Sequence, residues 1–439
     1  MSVSREELKR RACEAVDKNR DKIIAFGESV FAEPELGFKE FKTSAKVKKA
    51  FEEMGVAYTD GHAITGVIAP FKGKESKLKV ALMGELDAVV CPGHRCADPV
   101  TGAAHSCGHH VQIASIIGCG LALKDSGIMD ELSGDIVLMG VPAEEGVELE
   151  YRAGLIKEGK IHFLGGKQEF IYEGVFDDID MMIMQHTMVD ENVKATAGGA
   201  VGKGFIAKYI RYIGKEAHAG GAPHLGINAL NAAQIGLMAV NANRETFQDK
   251  DQIRVHPIIT KGGDLVNVVP ADVRIETYVR GNNVPAILDG SFKVTRAFKA
   301  GGDAVGAQCE VTELPGYMPF VVNNELDDVM YQNALKLVDT DKIKVDLEGP
   351  GTGGSTDAGD LSHIMPIIHA HVGGAEGIFH SESFEVPDKE LAYITAAKLL
   401  ATTTIDLLAD GAAKALEIKS HFKPLMTKEE YLKDWGHIE

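Results

Sequence analysis

The sequence has few cysteines and too little positive charge to balance its acidic residues. Six cysteines are scattered over 439 residues, a pattern that favours free thiols in a reducing cytosol over a disulfide framework. Lysine and arginine number 46 against 64 aspartate and glutamate, which gives a net charge of −18. Basic surface supplies most of the affinity for nucleic acid, and anionic membrane surfaces repel acidic proteins. We therefore expect neither a nucleic acid nor a membrane as partner.

Long hydrophobic runs are also missing. Residues 1–7 are polar and lack the apolar core of a signal peptide, and no run of about 18 apolar residues follows. Apolar and charged contents of 45% and 25% are typical of a globular protein in water. These features predict a cytoplasmic protein, and the length predicts two domains because one core rarely grows to this size.

Short apolar runs alternate with helical segments in the outer parts of the chain. Helical periodicity covers residues 4–33 and 43–54. Buried strands are predicted at 80–83, 135–141, 180–185 and 364–371. This alternation predicts an α/β domain with a parallel or mixed sheet, formed by residues 1–193 and 315–439.

Residues 194–314 have a different pattern. Strands are predicted at 205–214, 255–260, 272–279 and 308–313, and helices at 228–242 and 286–299. Four strands and two helices in this order predict a compact α+β, ferredoxin-like sandwich inserted into the first domain.

Candidate metal ligands lie where the predicted strands and loops end. Thiolate, imidazole and carboxylate are the donors that zinc-like ions prefer. They are supplied here by Cys107 and His109 before a predicted helix, Glu144 and Glu145 after one strand, His186 at the end of another, and His380 after a glycine-rich loop. The open edge of an α/β sheet gathers such residues. One ion does not need so many ligands, so the set predicts a two-metal hydrolytic site.

Other polar residues have positions that suit supporting roles. In the Glu144-Glu145 pair, one carboxylate can bind metal while the other transfers a proton. Asp87 follows the strand at 80–83 and is predicted to orient a metal ligand. In the inserted segment, His218, Asn267 and Arg280 could polarise a carbonyl and hold a substrate carboxylate.

Together these motifs resemble metallopeptidase family twenty, which contains aminoacylases, hippuricases, carboxypeptidase-G-like enzymes and auxin-conjugate amidohydrolases. The resemblance covers nearly the whole chain. It rests on residues 33–43, 85–88, 106–109, 142–146, 185–186, 217–219 and 262–270. Residues 217–226 and 355–362 resemble the branch that contains the B subunit of p-aminobenzoyl-glutamate hydrolase.

The resemblance implies a zinc-peptidase-like catalytic domain with an inserted dimerisation or lid domain. It implies a homodimeric, metal-dependent amidohydrolase acting on small N-acyl amino acids, dipeptides or p-aminobenzoyl-glutamate-like conjugates with a free carboxylate. Two divalent ions per subunit, zinc first and manganese, cobalt or nickel otherwise, would be held by Cys107, His109, Glu145, His186 and His380, with Cys107 bridging.

The same resemblance implies roles for the remaining candidates. Glu144 would be the general base and Asp87 its support. His218 would reach a neighbouring subunit's site to stabilise the oxyanion, with Asn267 and Arg280 near the substrate.

The sequence departs from the family at His110, where the family usually has aspartate or asparagine. Residues 91–99 form an elaborated loop, which we expect on the substrate side. Two alternatives remain open, a non-catalytic metal- or ligand-binding relative and a metal-free thiol hydrolase using Cys107 and His109. The intact Glu144-Glu145 pair argues against the first, and the two-residue spacing of Cys107 and His109 argues against the second.

Overall fold

The computed structural model of the chain describes residues 3–197, 202–345 and 354–437. Its strands, numbered along the chain, are β1 (Thr59–His62), β2 (Gly66–Phe71), β3 (Lys79–Glu85), β4 (Val89–Val90), β5 (Ala103–Ala104), β6 (Asp135–Val141), β7 (Met181–Thr187), β8 (Ala195–Ala197), β9 (Gly204–Ile213), β10 (Arg254–Val255), β11 (Ile258–Lys261), β12 (Asp272–Gly281), β13 (Gln308–Pro315), β14 (Ile343–Val345) and β15 (Ile367–Val372). Its α-helices are α1 (Arg5–Lys18), α2 (Arg20–Phe31), α3 (Phe41–Met54), α4 (His109–Ser126), α5 (Leu149–Lys157), α6 (Gly166–Glu173), α7 (Ala229–Ala242), α8 (Val284–Val305), α9 (Asn324–Leu337), α10 (Ala358–Ser362), α11 (Ala396–Leu408), α12 (Ala413–His421) and α13 (Lys428–Glu430).

Within the described ranges, eight strands form one large mixed sheet in the order β1-β2-β6-β3-β7-β15-β8-β14. The four central strands β6, β3, β7 and β15 run parallel, while β1, β2 and β8 add antiparallel pairings. All seven residues of β6 are buried, as expected for a strand covered on both faces. The predicted mixed α/β fold is therefore confirmed.

Helix α4 lies in the centre of the layer that covers one face of this sheet. It packs between the sheet and helices α1, α2 and α11. The apolar residues of α4 are distributed around the whole helix, and most of its residues are buried. This pattern is typical of a helix in the centre of a core. The first residue of α4 is His109, so a helix buried in the core fixes the position of a predicted metal ligand.

A second, antiparallel sheet has the order β10-β12-β9-β13, with β11 also paired to β12. Strands β9 and β12 pair along their whole length, from Asp272 opposite Ile213 to Gly281 opposite Gly204. Residues of β12 alternate between buried and half-buried, and α7 and α8 pack on the buried face around Val273, Ile275 and Phe298. One face of this sheet is thus covered by two helices.

The structure differs from the sequence predictions at several boundaries. The helix predicted at 4–33 is two helices, because Asn19 leaves helical geometry and its side chain binds the carbonyl oxygen of Ala15 and the carboxylate of Asp125, each at 2.9 Å. The strand predicted at 255–260 is divided into β10 and β11, with Pro257, which has no N–H to donate, between them. Residues 195–197 pair within the large sheet, beyond the predicted domain boundary between 193 and 194.

Within the part of the chain that the structure describes, one helical segment, Glu390–Leu408, has the length and apolar composition of a membrane span. However, 83% of its most apolar window is buried inside the protein. The segment packs against α4 and α1, so this composition is that of a core helix.

Candidate metal centre

The carboxyl ends of three parallel strands and the start of α4 bring the predicted site residues together. Asp87 follows β3, the Glu144-Glu145 pair follows β6, and His186 lies near the end of β7. Strands that run parallel end at the same edge of their sheet, so these side chains converge there. Gly108 connects Cys107 to His109 with φ of 90°, and a Cβ at this position would lie 2.4 Å from the Thr187 hydroxyl. The turn between the two ligands therefore requires glycine.

Two groups of metal donors share the thiol of Cys107. The first group is Cys107, His109 and His186, and the second is Cys107, Glu145 and His380. Within each group the donor atoms all lie within 4.8 Å of one another. The Cys107 Sγ atom is 3.5 Å from His186 Nε2, and Glu145 Oε1 is 3.1 Å from His380 Nε2. All five predicted metal ligands thus lie in one cluster.

Two donor atoms of this cluster, His109 Nε2 and Glu145 Oε1, are buried and make no hydrogen bond within the described ranges, although Glu85 and His380 lie 3.1 Å from them. A desolvated nitrogen or carboxylate oxygen without a partner is costly unless a cation satisfies it. The orphaned atoms and the mixture of sulfur, nitrogen and oxygen donors therefore fit divalent metal ions.

Hydrogen bonds fix which ring nitrogen each histidine turns towards the cluster. His109 Nδ1 lies 2.9 Å from the Asp87 carbonyl oxygen and 3.2 Å from Asp87 Oδ1. Both atoms are acceptors, so Nδ1 donates a proton to them and Nε2 is the ring nitrogen turned towards the cluster. His186 Nδ1 likewise donates to the Thr187 carbonyl oxygen at 2.8 Å, which leaves Nε2 facing Cys107.

Asp87 supports two predicted ligands at once. Its second carboxylate oxygen accepts a hydrogen bond from the Glu145 backbone N–H at 2.9 Å. Arg152, which is fully buried, donates to the carbonyl oxygens of Ala143 and Glu145 from the other side. Ala143 adopts φ of 57°, and these bonds hold the short turn that carries the glutamate pair.

The buried charges give the cysteine and the two glutamates different proton affinities. Burial raises the pKa of the Cys107 thiol, but nearby His186 and His109 outweigh it and lower the pKa to about 6, which favours the thiolate. Burial also raises the pKa of Glu145, but His380 and His109 lower it to about 2. Burial raises the pKa of Glu144 well above its usual value, and Glu85 and Glu145 raise it further. Glu144 is therefore the carboxylate suited to accept a proton.

The sequence predictions missed a buried charged network beneath the cluster. Glu85 Oε2 lies 3.1 Å from His109 Nε2, and Glu85, His109 and Glu144 form a third group of donors. Lys167 Nζ donates to Glu85 Oε1 at 2.6 Å and to a carboxylate oxygen of Asp357. Glu85 and Asp357 stand inside the motifs that carry the family resemblance, whereas no sequence signal marks Lys167.

Arg280 in β12 lies within electrostatic range of Glu144 and Glu145. Its guanidinium lies over the rings of Phe205 and Tyr278, at 5.6 and 5.5 Å from their centroids. Burial lowers the pKa of Arg280, while Tyr278, Glu144 and Glu145 oppose this change. The second sheet thus places a cation within electrostatic range of the metal donors.

His218 and Asn267 lie on two exposed loops of the second sheet, one after β9 and one between β11 and β12. The Ala219 N–H donates to the Asn267 carbonyl oxygen at 2.9 Å, and His218 pairs with Val268 as an isolated bridge. His218 Nδ1 accepts from the Gly221 N–H at 2.9 Å. The contacts of Ala219 with Asn267 and of His218 with Val268 join the two loops to each other, and neither His218 nor Asn267 belongs to the donor groups.

His110 lies outside the three donor groups. It is buried, with its ring 4.8 Å from that of Phe31 and 5.4 Å from that of His105. The loop 91–99 packs nearby, where His94 Nε2 is 2.9 Å from the Phe384 carbonyl oxygen. Burial and the neighbouring His109 lower the pKa of His110 to about 3, so it is a neutral core histidine.

Comparison with known proteins gives consistent matches along the chain. Residues 81–404 match the profile of peptidase family M20/M25/M40. The chain is 27% identical to the Xaa-Arg dipeptidase of Mus musculus over 447 residues, covering 97% of this chain and 95% of that protein. It is 27% identical over 342 residues to the B subunit of p-aminobenzoyl-glutamate hydrolase from Escherichia coli (strain K12), covering 74% of this chain and 65% of that protein.

The fold also matches a solved structure. The crystal structure of a dinuclear metal-binding peptidase of the M20 family from Bacillus subtilis superimposes with a TM-score of 0.62 at 21% identity. The match covers 89% of this chain and 99% of that one.

Proposed function

The chain belongs to peptidase family M20/M25/M40, and we propose that its two donor groups hold two divalent ions, zinc first, for the hydrolysis of an amide bond. The observation that carries this proposal is the pair of donor groups joined at Cys107, with Glu144 beside them. The dinuclear peptidase of similar fold supports the number of ions. Cysteine and histidine donors favour zinc, while manganese, cobalt or nickel could occupy the same set.

The residues divide the reaction between them. Divalent ions bound at this cluster supply a water of lowered pKa and polarise the amide carbonyl. Glu144 accepts the proton of the attacking water and passes it to the leaving amine. Asp87 holds His109 and the Glu145 turn in place, and His218 from a neighbouring subunit stabilises the oxyanion.

The substrate is a small N-acyl amino acid, dipeptide or p-aminobenzoyl-glutamate-like conjugate with a free carboxylate. The names of the mouse and Escherichia coli relatives support these classes. Arg280 is a cation of the second sheet within electrostatic range of the glutamate pair, and guanidinium binds carboxylate with two parallel hydrogen bonds. Asn267 is the other residue of the inserted domain that we place near the substrate.

We place residues 1–193 and 315–439 in a catalytic domain, together with β8, and the rest of residues 194–314 in an inserted domain. The inserted domain carries exposed apolar side chains on β11 and the following loop: Ile258, Ile259, Leu265 and Val266. An edge strand with such residues suits pairing with a second copy. We therefore place the homodimer contact on the inserted domain, and the protein in the cytoplasm.

Metal removal and replacement test the reaction. Protein stripped by a chelator should lose hydrolysis of N-acyl amino acids, dipeptides and p-aminobenzoyl-glutamate, and regain it with zinc, manganese or cobalt. Full activity after complete removal of metal would instead support the thiol hydrolase with Cys107.

Substrate recognition has its own test. Hydrolysis of an N-acyl amino acid should fall when its carboxylate is replaced by an amide, and Arg280→Met should remove that preference. Arg274→Met is the matched control, since Arg274 lies on the same strand but pairs with Asp272 and Glu150. Equal discrimination by the Arg280→Met variant would contradict the proposed carboxylate contact.

A further inference from the structure

Glu85 and His109 face each other in a fully desolvated position. Glu85 Oε2 lies 3.1 Å from His109 Nε2, and the two side chains are 1% and 0% exposed. Glu85, His109 and Glu144 each offer a donor atom, and these atoms all lie within 4.8 Å of one another. Carboxylates this close together in a desolvated site are costly unless a proton or a cation lies between them.

The hydrogen bonds of His109 show which ring atom faces Glu85. Nδ1 donates to the backbone and side chain of Asp87, so Nε2 is the ring atom turned towards the Glu85 carboxylate. A proton on Nε2 allows the ring to pair with that carboxylate. A divalent cation bound to both atoms can replace the proton, since neighbouring ligands of one zinc-sized ion are about 3.0–3.6 Å apart when each lies about 2.0–2.2 Å from it.

Glu85 cannot rotate away from His109. Lys167 Nζ donates to its Oε1 at 2.6 Å, and Gln112 Nε2 donates to its Oε2 at 2.7 Å. The Glu85 backbone N–H donates in turn to Gln112 Oε1 at 3.2 Å. These bonds keep the carboxylate charged and in one orientation, and an oxygen with two acceptor positions can still bind a further cation.

We propose that Glu85 is a further metal ligand, giving its Oε2 to the ion held through His109 in the Cys107–His109–His186 group. This inference rests on the proposed two-ion centre and extends it. A carboxylate oxygen added to a sulfur and two nitrogens makes this position harder in donor character. Lys167, shared between Glu85 and Asp357, is then the residue that positions the ligand.

The consequence is a change in metal preference. Carboxylate oxygen suits manganese more than thiolate and imidazole do, whereas zinc retains its affinity for sulfur and nitrogen. Loss of the Glu85 oxygen should therefore weaken manganese binding more than zinc binding. Glu85→Gln tests this because glutamine keeps the volume and can still accept from Lys167.

Metal binding is measured on the full chain after chelation, by titration with Mn²⁺ or Zn²⁺ alone and by elemental analysis. Glu85→Gln should weaken manganese binding by roughly tenfold or more, the scale seen when a supporting group of a metal site is removed, and should weaken zinc binding less. The Co²⁺-loaded variant should also show a changed visible absorption spectrum. Glu169→Gln is the control, since Glu169 is equally buried but bonds to the 162–163 backbone.

The result that overturns the proposal is a Glu85→Gln variant with the parent's affinities for both ions and its Co²⁺ spectrum. A crystal structure of the Mn²⁺-loaded parent gives an answer even if the variant does not fold. It should place Glu85 Oε2 in the first coordination sphere of one ion, and a Glu85 oxygen outside that sphere contradicts the proposal. A parent that binds both ions but leaves Glu85 uncoordinated keeps the proposed function, whereas a parent that binds no divalent ion contradicts both.

Discussion

His109 and His110 are neighbours in sequence, yet they lie in opposite chemical surroundings. His109 is enclosed by Glu85, Cys107 and Asp87, and these groups overcome its burial to raise its pKa well above the usual value. His110 points into Phe31 and His105, and its pKa falls to about 3. Both rings are buried, so burial alone does not separate a ligand from a core residue. The carboxylates that contact His109 distinguish it from His110.

Among the acidic residues around His109, Glu144 should give the largest loss of activity when it is replaced. Glu144→Gln keeps the shape of the side chain but removes the proton acceptor. We expect kcat to fall by about 10²–10⁴-fold, the usual contribution of a general base, while bound metal is unchanged by elemental analysis. A variant as active as the parent would refute the assignment of Glu144 as the base.

Asp87 tests whether the support of His109 matters as much as the ligand itself. Asp87→Asn retains the size but removes the charge that holds His109 Nδ1 and the Glu145 N–H. Metal affinity should fall by about 10–100-fold, as measured by competition with a coloured chelator. Asp360→Asn, a buried carboxylate that binds Tyr431 and Gln168 instead, serves as the control and should leave metal affinity unchanged.

Glu40 is a further buried carboxylate, close enough to Asp87 to be affected by its charge. Its carboxylate accepts from Thr65 Oγ1 at 2.7 Å and from the Ala143 N–H at 2.8 Å. Burial and the nearby Asp87 raise the pKa of Glu40 to about 8. The folded state therefore holds this proton more tightly than the unfolded chain, so stability falls as pH rises from about 4.5 to about 8.

The Glu40→Gln variant should lose that part of the pH dependence. Chemical unfolding at several pH values measures it, with Glu169→Gln as a control for removing a buried carboxylate. An unchanged slope between pH 5 and pH 8 in the Glu40→Gln variant would show that Glu40 is already ionised in the folded protein.

Replacement of His110 should have the smallest effect on metal content and activity. His110→Leu replaces a buried ring whose Nδ1 has no hydrogen-bond partner with an apolar side chain. Metal content and kcat should match the parent, and the melting temperature should be equal or slightly higher. Loss of one ion from this variant would show that His110 is a metal ligand, and would contradict the distinction between His109 and His110.

Most of the large sheet could be predicted because its central strands are short apolar runs that end in polar residues. The run at 135–141 matches β6, and the site residues beyond it follow from the shared edge of parallel strands. The donor cluster was predictable for the same reason.

The charged layer beneath the cluster was not predictable in the same way. Lys167 lies in a helix far along the chain from Glu85 and Asp357, and a single lysine in a sequence is normally exposed. Its role depends on long-range packing that no local pattern records. The exposed loop of His218 also carries a recognisable motif without contacts that reveal its partner.

Sharing Cys107 between both donor groups makes the whole centre depend on the oxidation state of one sulfur atom. A thiolate is the form that peroxides attack, first to sulfenic acid and then to sulfinic acid, which most cells cannot reverse. Damage to that single atom removes a donor from both groups at the same time. Oxidation of Cys107 therefore weakens both donor groups together and leaves neither intact. How long the enzyme stays active then depends on the reducing power of its surroundings.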